Sequence, residues 1–357
     1  MSVIRAEDLH DIARLADPAG VLSVYATVDP HPETAVPAPW QVRIPHLLTE
    51  LTRRAGTELP HLRQRIDAIQ PALTRMLDGK SPGRGHALFA TVSGETVREV
   101  HVQTSLENGV RLGDAAYLRP LADAFSKAAP AGIVAVSRHG IRLIDYRLGL
   151  AEEAGTLVFE PPAPPRTPGR SGTQRDLQNR RTIVHLERFL ADSGARLAQL
   201  GAHPDWEQLV VTGDGDLVAA FVAGLPRLPH TDVVTAGHVV TATMPPSRVA
   251  TLVAVNLDVA RQRARLRFAE LVRDTAHAGG AATAGPADTL HAAARGRVRH
   301  LLLDGARHPA GIDGPGDETG EQLIELTYGS GGAVTLLGGG AARVLAHDGG
   351  VAALLHP

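Results

Sequence analysis

At 357 residues the chain exceeds what one ordinary core encloses, which predicts several domains, each burying most of its apolar surface. Its 43% hydrophobic and 21% charged content excludes a disordered chain, and a formal net charge of −2 excludes a surface coated uniformly in positive charge. The absence of cysteine excludes disulfides, thiolate metal sites and thiol nucleophiles.

The opening reads as a short helix from Ala6 to Ala16, a turn at Pro18-Ala19-Gly20 and a strand from Val21 to Val28. Two helical segments follow, Gln41 to Arg54 and Leu62 to Leu77, joined by Gly56-Thr57-Glu58-Leu59-Pro60 as a helical hairpin. Strands His86 to Val92 and Thr96 to Val102 turn at Ser93-Gly94-Glu95, and a helix from Leu118 to Ala128 closes a first domain, residues 1–129.

A second domain, residues 130–245, starts with strands Gly132 to Ser137 and Ile141 to Tyr146. After Leu157-Val158-Phe159 comes a proline-rich loop, Pro161 to Arg175, and then a helix from about Gln174 to Leu200. From Leu186 onward its apolar residues recur at helical spacing and predict a packed face; before Ile183 only Leu177 is apolar, so the first turns have nothing to bury and project. Strand Gln208 to Thr212, helix Leu217 to Gly224 and strand Asp232 to Thr235 complete an α/β unit with partly parallel strands.

Met244-Pro245-Pro246-Ser247 marks a junction into a long charged helix, Arg248 to His277, and Gly279 to Gly285 reads as a linker. The third domain, residues 246–357, then alternates helix, strand, a Gly/Pro/Asp loop (Gly305 to Gly320), helix and strand into a compact α/β sandwich. The fold class expected is therefore multidomain α/β: an α+β first domain, an α/β middle domain with a projecting loop, and an α/β sandwich.

Most enzyme signatures are missing. Gly213-Asp214-Gly215-Asp216 is explained by a strand-to-helix turn with an aspartate cap, and the glycine clusters at 329–332 and 338–340 lack the lysine and hydroxyl of a phosphate loop. The 17 histidines show no i, i+4 pairing for a metal, and no G-x-S-x-G elbow presents a serine. No metal and no cofactor is expected. Neither a signal peptide nor an 18-residue apolar run occurs, which points to the cytoplasm with no membrane partner.

The loop and helix start carry the chemistry that remains. Only Lys80 and Lys127 are lysines, so almost all positive charge is arginine; arginine suits bidentate phosphate contacts, and a base-composition bias gives the same excess. Arg166, Arg170, Arg175, Arg180, Arg181 and Arg188 outnumber Asp176 and Glu187, and the helix N-terminus adds N–H donors. The candidate RNA-binding set is Arg166, Arg170, Thr173, Gln174, Arg175, Arg180 and Arg181, with no DNA partner expected.

This order of parts resembles the archaeal and eukaryotic class-1 peptide release factors and Pelota. Pro168-Gly169-Arg170-Ser171-Gly172-Thr173-Gln174 stands where that family carries its Gly-Gly-Gln loop, and Leu209-Val210-Val211-Thr212-Gly213 resembles the strand and turn after its long helix. The close, from Gly331-Gly332-Ala333-Val334 to Gly350-Val351-Ala352-Ala353-Leu354-Leu355, is similar to the Pelota C-terminus. Two departures matter. The hairpin tip, Gly56, Thr57 and Glu58, lacks the codon-reading Asn-Ile-Lys-Ser motif, and Thr173 replaces the second glycine; a β-branched residue resists the positive φ open to glycine.

With those departures the chain resembles the bacterial, Balon-like ribosome-hibernation branch. The resemblance implies a ribosome partner bound through ribosomal RNA at the A site, no stop-codon reading, and a translational GTPase such as EF-Tu as a further partner. Two alternatives stay open: a rescue factor that hydrolyses peptidyl-tRNA or cleaves tRNA, with Gln174 and Gly172 as its catalytic residues, and an RNA-binding protein of inherited fold with no ribosome role.

Overall fold

The computed structural model describes residues 6–28, 38–56, 60–79, 81, 83–127, 129–147, 149–162, 172–200, 206–228, 231–238, 240–241, 243–306 and 318–356. Among these, three sheets and their helices form a mixed α/β multidomain fold. Contacts divide the chain into two compact units, Met1–Ala128 with Arg265–Pro357, and Ala129–Ala264.

The first unit begins with α1 (Ala6–Ala13), β1 (Ala16–Thr27), α2 (Pro39–Ala55), α3 (Pro60–Ala68) and α4 (Gln70–Met76). It continues with β2 (Gly85–Thr91), β3 (Val97–Val102), β4 (Gly109–Ala115) and α5 (Arg119–Lys127). The strands lie in the order β3-β2-β1-β4, all antiparallel, and Leu22, Val24, Leu88 and Val110 pack beneath Trp40, Ile44, Leu73 and Met76 of the helices.

Three local expectations are corrected here. The turn expected at Pro18-Ala19-Gly20 lies inside β1, where the ladder to β4 jumps from Ala16↔Ala115 to Val21↔Gly113 and a bulge absorbs the extra residues, with Gly20 at φ +109. The helix expected from Leu62 to Leu77 breaks at Ile69, whose ψ of 3 leaves the helix and caps α4, with Pro71, which has no N–H to continue a helical ladder, in the first turn. β4 was not expected: Gly109, Gly113 and Asp114 hide an alternation that pairs with β1.

The second unit holds β5 (Ala131–Ser137), β6 (Gly140–Arg147), β7 (Leu150–Val158), α6 (Gly172–Ala195), a 3-10 turn over Leu197–Leu200, β8 (Gln208–Gly213), α7 (Gly215–Ala223) and β9 (Asp232–Ala236). The sheet order is β7-β6-β5-β8-β9, with β5, β8 and β9 parallel and β6 and β7 antiparallel. Because β5 is covered on both faces, it reads as an unbroken apolar run. Val134, Val136, Leu209 and Val211 face α6 and α7; Ile133, Ala135 and Val210 face Val249, Val253 and Leu257 of α8 (Pro246–His277). Asp214 caps α7, its carboxylate accepting from the Asp216 N–H, as the turn predicted.

The remaining elements return to the first unit: β10 (Ala282–Ala284), α9 (Pro286–Ala294), β11 (Val298–Asp304), α10 (Glu318–Gly329), β12 (Ala333–Leu337), α11 (Gly339–Val344) and β13 (Val351–Leu355). Their sheet runs β10-β13-β11-β12, with β11 and β12 parallel and β13 antiparallel to β11 and β10. The expected linker at Gly279 to Gly285 thus contains strand β10, and the triple glycine at 338–340 opens α11. Helix α5 ties the two sheets of this unit together: the Ser126 hydroxyl accepts from the Leu336 N–H at 2.8 Å, and the buried Arg119 guanidinium pairs with Glu321 of α10.

Candidate nucleic-acid interface

Helix α6 has two halves with different chemistry. In the C-terminal half Leu186 and Leu190 are buried with Val134, Val136, Ile141 and Leu143 of the sheet, and α7 crosses close by. That crossing depends on glycine: a Cβ on Gly194 would stand 2.7 Å from the Phe221 carbonyl oxygen and 3.0 Å from the Gly224 carbonyl carbon. The half that packs therefore fixes the direction of the half that does not.

From Gln178 to His185 every side chain is exposed or half-buried, and Ile183 and Val184 are each 53% exposed although apolar. Ile183 lies three residues before Leu186 and seven before Leu190, on the face that packs farther along, yet it is exposed. Residues 172–185 span about 20 Å of helix at 1.5 Å per residue.

Arg180 and Arg181 lie exposed on this uncovered half, and Arg188 is exposed one to two turns on, within the packed half; Arg181, His185 and Arg188 follow the i, i+4, i+7 spacing of one helical stripe. The first turn of α6 holds no acidic residue; Asp176 follows it directly. A helix N-terminus and a stripe of arginines favour the same ligand, a phosphate backbone.

Of the other residues expected here, Arg166 and Arg170 lie outside the described residues. Gly172, Thr173, Gln174 and Arg175 form the first helical residues of α6, so their backbone is that of a regular helix. At the hairpin, Gly56 ends α2 with φ +50, is exposed and donates its N–H to Thr52 O; Thr57 and Glu58 lie outside the described residues. A cleft of about 650 Å³ runs between α2 and α3–α4, lined by Thr52, Arg53, Arg63, Asp67 and Gln70. Hydrogen bonds from Arg53 and Arg54 hold the Glu50 carboxyl down at about 2, so this carboxylate offsets part of the hairpin's basic charge.

Sequence reasoning missed a second basic run, Arg295-Gly296-Arg297-Val298-Arg299, whose three arginines are all exposed. The signal available was arginine at every second position with no acid from Thr289 to Leu303. Among the described residues no cluster of three or more His, Cys, Asp or Glu is arranged to hold a metal, and no helix is long and apolar enough to cross a membrane.

The sequence model of bacterial archaeo-eukaryotic release factor family 10 matches residues 117–256, the stretch from α5 through the first third of α8. Solved structures similar to the chain include a ribosome-bound archaeal Pelota described together with ABCE1, 14% identical over 100% of this chain and 95% of that one with a TM-score of 0.42. Pelota of Archaeoglobus fulgidus is 12% identical over 100% and 93%, with a TM-score of 0.38. The archaeal translation termination factor aRF1 is 16% identical over 99% of both chains, with a TM-score of 0.26. No curated protein matches the chain.

Proposed function

We propose that this chain, whose residues 117–256 match the sequence model of bacterial archaeo-eukaryotic release factor family 10, is a ribosome-binding factor that occupies the A site as a hibernation or stress factor and neither reads stop codons nor releases peptide. The observation that carries this reading is the N-terminal half of α6: Arg180 and Arg181 are exposed on it, and its Gly172-Thr173-Gln174 backbone is helical from the first residue. The arginines supply affinity for ribosomal RNA phosphates. A helical backbone at Thr173 and Gln174 supplies no glycine-shaped loop with which to position water on an ester, so occupancy replaces hydrolysis.

The sequence partition assigns roles to the regions: 1–129 toward the decoding centre, 130–245 toward the large-subunit tRNA site, and 246–357 toward a translational GTPase such as EF-Tu. Co-sedimentation of the full chain with vacant ribosomes tests the reading. Binding at low salt should weaken by about 0.7 to 0.9 log units per log salt for each phosphate contact. Absence from the ribosomal pellet at low salt would overturn it.

Retention of Gly172 and Gln174 supports a second reading, rescue by peptidyl-tRNA hydrolysis. Wild type and Gln174→Ala should both leave peptidyl-tRNA intact on stalled ribosomes; release by wild type that Gln174→Ala abolishes would establish the second reading instead.

A further inference from the structure

We propose that Arg295, Arg297 and Arg299 form a second phosphate-backbone contact site for RNA, carried by the C-terminal sheet of the first unit and distinct from α6. The inference rests on the RNA-binding reading above and adds a site to it. The three guanidinium groups donate no hydrogen bond to, and form no ion pair with, any described residue.

The backbone beneath them is fixed. Helix α9 ends in a Schellman arrangement: the Gly296 N–H reaches Ala293 O at 2.9 Å, the Arg297 N–H reaches Ala292 O at 3.0 Å, and Gly296 takes φ +65. Arg297 O then accepts from the His356 N–H at 2.9 Å, which ties the segment to the residue that follows β13. At Arg299 the ladder between β11 and β13 skips a residue, Val298↔Leu355 being followed by His300↔Leu354. The bulge leaves Arg299 unpaired in the ladder and turned outward, while Val298 beside it is fully buried.

Helix-end electrostatics accounts for Arg295, a cation beside the last carbonyls of α9, but not for Arg297 or Arg299. A fourth arginine approaches the same place from α1: the Arg14 Nε–H points to Gly329 O at 3.4 Å, on the turn where Ser330 lies against Gly296. In a chain of net charge −2 such a local concentration is a field, not a background.

The ligand class follows from what the patch lacks. A protein partner needs an apolar or aromatic centre to bury, and the residues between the arginines are a glycine and a buried valine. Arginines on a fixed backbone with nothing apolar between them match a charged, repeating, hydrated surface, the phosphodiester backbone, read without base specificity.

The test uses the full chain, a mixed-sequence 30-nucleotide single-stranded RNA and fluorescence anisotropy across a salt series. Wild type is compared with the triple variant Arg295→Gln/Arg297→Gln/Arg299→Gln and with Arg180→Gln/Arg181→Gln. Losing three contacts should lower the magnitude of the log–log salt slope by about 2, with affinity at low salt falling at least tenfold, additively with the α6 variant. Single Arg297→Gln, which leaves the Schellman hydrogen bonds intact, should lower the slope by about 0.7 and reports if the triple variant does not fold. Salt-dependent wild-type binding that α6 substitution weakens but neither the triple nor the single β11-end variant changes overturns this site and leaves the first reading standing. RNA binding absent from wild type overturns both.

Discussion

His300, half-buried on β11, shows at the scale of one side chain how this basic run adjoins the packed sheet. Its Nε2 lies 2.8 Å from the Thr335 hydroxyl on β12, and its ring meets that of Phe268 edge-on at 4.9 Å between centroids. Burial first, and the neighbouring Arg299 charge second, push its pKa down to about 4 from the usual 6.5. The folded protein therefore keeps this imidazole neutral, while the unfolded chain takes up a proton as pH falls through 6.5. Between 6.5 and 4 the unfolded state binds more protons, so stability is fully present above that window and declines as pH falls across it. The drop from 6.5 to about 4 corresponds to a loss of about 3 kcal/mol across the window. Urea unfolding at pH 7.5 and pH 4.5 should show a decline that His300→Gln reduces by that group's share. Equal pH dependence in both proteins would remove the buried neutral histidine from the account.

At the scale of elements, the projection of α6 depends on how tightly its other half is clamped. Gly194 and Gly224 let α6 and α7 cross backbone to backbone, and the atoms a new Cβ would strike are carbonyls and main chain, which cannot swing aside. Gly194→Val should destabilise the protein by about 1 to 3 kcal/mol through enforced separation of the helices, whereas Ala195→Ser, one residue on and exposed, should cost less than about 0.5 kcal/mol. Matching chemical-denaturation midpoints for the two would show that the crossing carries no such constraint. Much of this was legible from residues: the change at Ile183 to Leu186 from polar turns to helical apolar spacing located the clamp, and β5 and β8 announced themselves as buried runs. Glycine's role as a spacer was not legible, because it depends on a partner helix about thirty residues away. Neither was β4, whose pairing only β1 supplies, nor the second arginine run, whose exposure depends on a bulge against β13. At the helix start, the replacement of glycine by threonine was visible, but its helical backbone needed coordinates.

For the whole molecule, the decisive feature is that the first 128 residues and the last 93 form one compact unit, although the middle of the chain separates them. A sequence partition sees the ends as separate, since each has its own sheet and its own core. α5 packs on β12 and α1 on α10, and polar contacts join the same elements: Ser126 receives Leu336 N–H, Arg265 donates to Ser126 O, and Arg119, with its side chain 4% exposed, pairs with Glu321. A charge so deeply buried is costly to disturb. Glu321→Ala removes one partner of the guanidinium, which should cost about 1 to 3 kcal/mol; replacing both residues, as Arg119→Met with Glu321→Leu, should recover part of that loss. Because α5 belongs to the N-terminal residues and α10 to the C-terminal ones, the damage should spread to both. Amide exchange in Glu321→Ala should quicken in β1 and in β11 together while β5 and β8 of the other unit keep wild-type protection. Faster exchange confined to the C-terminal sheet would mean that the two ends fold independently and that the Arg119–Glu321 pair merely decorates their contact.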